Sequence, residues 1–206
     1  MVATAPLPPP LPPPSAFVRT VDNPWFPLTP GTVLTYRGDD EGTPATDVFH
    51  VTRETKAVAG IRATVVHDRV YEHGRVTERT TDWYAQDTTG NVWYLGENTA
   101  TYKANGSLDS RAGTWRAGVG AGRAGIFMPA HPRVGDRGWQ EYDKGNAQDR
   151  YRILRVGTRT MLVQETTPLE PGVVDHKTYR RGVGTAVEET IRGGHERYRL
   201  VSVRRP

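Results

Sequence analysis

Apolar and polar side chains alternate along most of this chain with a period of two. The alternation holds over five successive stretches, 32–37, 47–55, 61–72, 76–86 and 91–97, separated by short polar or glycine-bearing turns such as Ala59-Gly60 and His73-Gly74. Such a period sends neighbouring side chains to opposite faces of a strand, and no long apolar period of about 3.6 residues competes with it. The stretch 82–97 is the clearest. Trp83 and Tyr84 fall on opposite faces of one strand, Trp93 and Tyr94 on opposite faces of the next, and Asp87-Thr-Thr-Gly90-Asn91 lies between them. Gly90 can take the positive φ that a hairpin loop of roughly three to five residues uses, and Asp87 can accept hydrogen bonds from loop amides two residues on. An antiparallel meander is the predicted first half.

The second half continues the pattern less regularly. Residues 102–108 read as a short strand about Ala104-Asn105-Gly106, and the alanine- and glycine-rich stretch 114–130 reads as a long loop, too rich in glycine for a stable helix. Strands are expected again at 138–142, 147–156, 160–167, 173–180, 185–191 and 196–203. About ten strands with short connections predict an all-β fold, a single antiparallel β-barrel or strongly curved half-barrel, with a two-sheet sandwich as the alternative. The N-terminal proline tract 1–14 predicts an extended, solvated segment. The expected organisation is therefore a disordered Pro-rich tail or linker over 1–20 and a barrel-like domain over 21–206, with Pro24-Trp25-Phe26-Pro27 as a plug across one end.

Composition narrows the classes. A chain of 206 residues with 36% hydrophobic and 24% charged residues can bury one core, and no run approaches the roughly 20 apolar residues of a membrane span. The net charge of +4 rests on basic residues that are scattered along the sequence and are mostly arginine, lysine standing only at 56, 103, 144 and 177. With no recognised nucleic-acid module, no nucleic-acid partner is expected. The absence of cysteine excludes disulfides, thiolate catalysis and iron–sulfur clusters. The first residues lack a basic region followed by an apolar one, so no intact signal peptide is read there.

Four segments carry a resemblance. Asn23-Pro-Trp-Phe-Pro-Leu-Thr-Pro-Gly31, Asp82 to Glu97, Met128-Pro-Ala-His-Pro132 and Thr167-Pro-Leu-Glu-Pro-Gly172 through Gly184 together resemble a family of uncharacterised exported bacterial proteins, over roughly residues 23–203. The closing Gly182-Val-Gly184 is more loosely similar to the half-barrel of periplasmic lipoprotein carriers. The resemblance implies a secreted, periplasmic or cell-envelope protein whose signal has been removed. It implies no particular chemistry.

Candidate chemistry comes from histidines, acids and aromatics. His131 sits between Pro129 and Pro132, which restrict the backbone on either side, and His176 shares a strand face with Val174 and Thr178. Asp82, Glu97, Glu141, Asp149, Glu170, Glu188 and Glu189 lie in or beside strands, and Glu189 shares its face with Val187 and Ile191. An acid on an apolar face is either paired with arginine or functional. A pair of His131 or His176 with Glu189 could transfer protons or, with one more ligand, hold a divalent metal. Sequence motifs for zinc hydrolases, EF-hands, serine nucleophile elbows and dinucleotide folds are missing. Trp83, Tyr84, Trp93, Tyr94, Trp115 and Met128 could instead wall a cavity for a small molecule. The leading expectation is an exported, cofactor-free binding protein for an apolar or amphipathic ligand. A barrel enzyme using His131 or His176 with a carboxylate, and a structural envelope module, are the alternatives.

Overall fold

A computed structural model of the chain describes residues 7–206. Its strands are β1 (Val33–Asp40), β2 (Thr43–Val58), β3 (Ile61–Glu72), β4 (Arg75–Gln86), β5 (Val92–Tyr102), β6 (Leu108–Ser110), β7 (Trp115–Arg116) and β8 (Arg123–Met128) in the first part. They continue as β9 (Arg137–Trp139), β10 (Glu141–Tyr142), β11 (Arg150–Val156), β12 (Thr160–Thr166), β13 (Val174–Arg180), β14 (Gly184–Arg192) and β15 (Arg197–Arg204). Thirteen strands follow one antiparallel path, β10-β8-β5-β4-β3-β2-β1-β15-β14-β13-β12-β11-β9. Its two end strands belong to one stretch of chain, since only Gln140 separates Trp139 from Glu141. The sheet thus returns to its own beginning as a nearly closed barrel, the all-β fold that the alternation predicts. Helix among the described residues is confined to a 3-10 turn at Pro14–Ala16.

Local chemistry explains the hairpins. Glu41-Gly42, Ala59-Gly60 and His73-Gly74 each join two strands with both central residues at positive φ, between 46° and 86°. That is the two-residue turn whose twist matches the strands, and glycine at its second position removes half of the strain. The β4–β5 connection uses a longer device. Gly90 has φ of 96°, and the Asp87 carboxylate accepts from the amides of Thr89 and Asn91 at 2.9 and 3.0 Å and from the indole of Trp93 at 2.8 Å.

Two expectations are corrected. Stretch 114–130 is not a loop throughout, because β7 and β8 pair in turn with the edge of β5 that β6 begins. An open strand edge offers unpaired amides and carbonyls, and the glycines permit the close approach that pairing needs. A Cβ on Gly125 would stand 2.2 Å from the Trp139 carbonyl oxygen. The second correction concerns the expected tail. Residues 1–6 lie outside the described residues, but the chain from Pro14 to Val18 lies against the barrel: Val18 donates its amide to Gln86, Thr88 donates to Ala16, and Phe17 meets the Trp93 ring edge-on at 6.4 Å. Contact with the barrel therefore begins before residue 20, since Phe17 supplies apolar surface that a solvated proline tract lacks.

The main core joins Val21, Trp25, Phe26 and Leu28 to side chains of β2 through β5, β8, β11, β12 and β13. Trp25, Phe26 and Leu28 are all buried.

Candidate functional site

One cavity of about 670 Å³ lies within the barrel. Strand parity decides what faces it. Tyr36 of β1, Asp47 and Phe49 of β2, Asp68 and Val70 of β3, and Glu78, Thr80, Asp82 and Tyr84 of β4 all line it, two residues apart within each strand. On β5 the parity changes. A bulge opposite Trp83 and Tyr84 places Gly96 against Trp83 and Glu97 against Asp82, so that Tyr94 and Glu97 both line the cavity although they stand three positions apart.

Aromatic rings form one part of the wall. Tyr84 and Tyr94 stack at 4.7 Å between centroids, and Phe26 packs on Phe127 at 4.5 Å and on Tyr84 at 5.2 Å. Carboxyl groups dominate the rest. Among the described residues, eleven acidic side chains line the cavity against a single base, Lys177, and no arginine. Arginine pairing holds for Glu189, which meets Arg197 away from the cavity, whereas among the described residues of the wall Lys177 forms ion pairs, bridging Glu165 at 3.0 Å and Glu188 at 2.9 Å. Burial pushes the Lys177 ammonium down, but those two carboxylates outweigh it and hold the group charged. Burial also raises Glu188, while Lys177 opposes the rise.

The remaining acids meet in pairs. Asp47 is raised far above the carboxylate range, first by burial and then by Asp68 beside it, and each of the two leaves a buried Oδ1 without a donor among the described residues. A proton held on Asp47 relieves this repulsion. Asp82 stands directly across from Glu97 and accepts from the Tyr94 hydroxyl at 2.6 Å. Burial, reinforced by the charge of Asp68, pushes Asp82 up to about 8 despite that bond. Glu97 is raised by burial and by Glu141. Glu141, which accepts from the Trp115 indole, is raised by burial and by Asp149, and burial with Glu165 pushes Asp149 up to about 6. Burial and mutual repulsion thus hold Asp82, Glu97, Glu141 and Asp149 above the ordinary carboxylate range.

Of the residues singled out from sequence, Tyr84 and Tyr94 line the cavity. Trp115 stands behind the wall, edge-on to Tyr94 at 5.7 Å and bonded to Glu141. Trp83, Trp93 and Met128 are buried, Trp93 on the side held by Asp87 and Phe17. His176 and Glu189 are register partners across β13 and β14, but Lys177 and Glu188 occupy the inward positions, so His176 and Glu189 look away from the cavity. Glu189 instead reaches Arg197 at 3.5 Å. His131 lies on a separate surface pocket beside Asn23, Trp25 and Arg181. The proposed metal trio is thus dispersed, and no group of three or more His, Asp or Glu side chains suited to a metal occurs among the described residues.

Asp82, Glu97, Glu141, Asp149 and Glu188 were legible as candidates. Asp47, Asp68, Glu78, Glu165 and Lys177 were missed. A signal existed for two of them: Glu78 shares the period of Asp82 and Tyr84, and Lys177 is one of only four lysines in an arginine-rich chain.

The chain matches no protein-family model and no curated protein. The resemblance read from its four segments therefore stands on those segments alone. Among solved structures, it is similar to a protein of Bacteroides fragilis provisionally described as exported and as having a YmcC-like fold, at 13% identity and a TM-score of 0.49, over 88% of this chain and 99% of that one. It is also similar to a protein of Parabacteroides distasonis provisionally described as a lipoprotein, at 13% identity and a TM-score of 0.44, over 87% of this chain and 98% of the other. No helix among the described residues is long and apolar enough to cross a membrane.

Proposed function

We propose that this chain is an exported binding protein whose barrel takes a small amphipathic organic cation. The observation that carries the reading is the cavity of about 670 Å³ with eleven acids and one lysine on its wall. The rings of Phe26, Tyr84, Tyr94 and Phe127 provide for the apolar part of such a ligand, and an ammonium or guanidinium group meets carboxylates and aromatic faces together. A purely apolar ligand would leave the acids desolvated without compensation, so the charge narrows the ligand class.

Titration of the intrinsic fluorescence with phenylbutylammonium, and separately with phenylbutanoate and phenylbutanol, tests this. Saturable one-to-one binding of the ammonium is expected at pH 8, weaker by about tenfold at pH 5, where more of the wall is protonated, and weaker by a similar factor at pH 8 in the double variant Asp82→Asn/Glu97→Gln. Equal binding of all three probes, or tighter binding of the carboxylate, would refute the reading.

A second reading rests on Glu141 and Asp149. Neighbouring carboxyls, one of them pushed to about 6, are also suited to general acid–base catalysis. It replaces the histidine-based enzyme, since neither His131 nor His176 lines the cavity. Conversion of a bound probe, abolished by Glu141→Gln, would favour it over binding alone.

A further inference from the structure

The acids that line the cavity are withdrawn from the outside of the barrel. With eleven of the 23 acidic residues and one of the 27 basic residues on the cavity wall, at least 14 more positive than negative side chains are left off it. The modest net charge of +4 therefore conceals a strongly basic exterior.

Part of this charge is gathered on one face. Five adjacent strands, β4-β3-β2-β1-β15, form a wall roughly 20 Å wide at the usual strand spacing. Their inward positions are held by Glu78, Asp68, Asp47, Tyr36 and Tyr198, so the intervening residues face outward. On that outer face Arg37 stands directly opposite Arg199, Arg69 opposite Arg79, and His50 opposite His67 with ring centroids 6.5 Å apart. None of these four arginines forms an ion pair with a carboxylate among the described residues. Asp39 and Glu189 both stand opposite Arg197 at one end of the face, and Glu54 lies near His67. Like charges directly across a sheet destabilise it, so the isolated barrel carries repulsion that an anionic partner would relieve.

We infer that this face docks on an anionic lipid surface. The charges are spread across several strands of the outer face rather than along one line. Besides the His50 and His67 imidazoles, the rings near it are Tyr71, and Tyr102 beneath Arg79 at 5.4 Å, a poor stacking platform for single-stranded nucleic acid. Mobile anionic headgroups can gather beneath scattered arginines, each arginine near such a surface contributing about 1 kcal/mol. The inference is independent of what the cavity binds.

The test is sedimentation of the full chain with phosphatidylcholine vesicles that contain or lack phosphatidylglycerol. Binding is expected only to the anionic vesicles, to weaken with added salt, and to fall roughly 30-fold in Arg37→Gln/Arg199→Gln, the equivalent of two such contacts. Arg137 and Arg152 face each other on β9 and β11, across the barrel from this face, and Arg137→Gln/Arg152→Gln removes the same charge. This control should change binding less than threefold. The melting temperature of the first variant should stay level or rise, which separates lost docking from lost folding. Equal losses in both variants, no preference for anionic vesicles, or tighter binding of a short DNA duplex through the same two arginines at the same salt would each overturn the inference.

Discussion

Lys177 is the residue on which the interior charge balance turns. Among the described residues it is the single base on the cavity wall, and it holds Glu165 and Glu188 within 3.0 Å. Removing one member of such a cluster strands its partners, at a cost of about 3 kcal/mol when burial is deep and less where cavity solvent reaches the ammonium. Lys177→Met is therefore expected to lower unfolding free energy by about 2–3 kcal/mol at pH 8. At pH 5 the loss should be smaller, because Glu188, already raised by burial, can take up a proton instead of remaining charged. Urea denaturation at both pH values measures this, and an equal loss at each would show that Lys177 contributes packing rather than charge. Asp87 shows the opposite electrostatic case. Burial raises its carboxyl, but the bonds from Thr89, Trp93 and Asn91 outweigh burial and hold it below its ordinary value.

At the scale of elements, the N-terminal segment behaves as an added clasp on the β4–β5 hairpin. Its attachment depends on Phe17 against Trp93 and on backbone bonds that join Val18 to Gln86 and Ala16 to Thr88. Removal of residues 1–6 should leave the melting temperature unchanged, whereas removal of residues 1–18 should lower it by several degrees, at about 2–4 °C per kcal/mol for a chain of this size. Equal melting temperatures for both truncations would show that the clasp contributes nothing. The elements also show how legible the sequence was. The 82–97 hairpin with its Asp87 and Gly90 turn, and the Ala59-Gly60 and His73-Gly74 turns, could be read directly because turn geometry is a local matter of φ and short-range hydrogen bonds. Strands β7 and β8 could not be read, because their ladder partner is the edge of β5, and edge pairing is a long-range event.

For the whole molecule, the cavity acids set the pH dependence of stability. Asp82 and Asp149 are pushed up to about 8 and about 6, and Asp47 is raised further, whereas the same groups in an unfolded chain titrate near 4. The folded state thus binds protons that the unfolded state releases. Stability from these groups is complete below about pH 4 and is lost as pH rises through each folded value. The contribution of Asp87 has the reverse sign but is already fully present by pH 5. The melting temperature should therefore fall by several degrees between pH 5 and pH 9 in calorimetry at constant ionic strength. A flat or rising profile would contradict the protonated wall.

By itself the sequence determined that this chain folds as antiparallel strands, where most of its turns lie, and that thiol chemistry has no place in it. Those properties depend on residue period, on glycine and asparagine or aspartate at turns, and on composition, all of which act locally or by their absence. Only the tertiary structure decided which face of each strand looks inward. A period of two separates Glu188 from Glu189 and His176 from Lys177 onto opposite faces, but it is symmetric between the two faces. The choice was made by closure of the sheet through Arg137–Tyr142 and by the bulge that brings Glu97 beside Asp82. Once made, it gathered eleven of the described acids into one cavity, sent His176 and Glu189 outward, and kept the described arginines off the cavity wall. Scattered charges along the chain became an acidic interior and a basic surface because a barrel sorts alternate residues by face, whatever their distance in sequence.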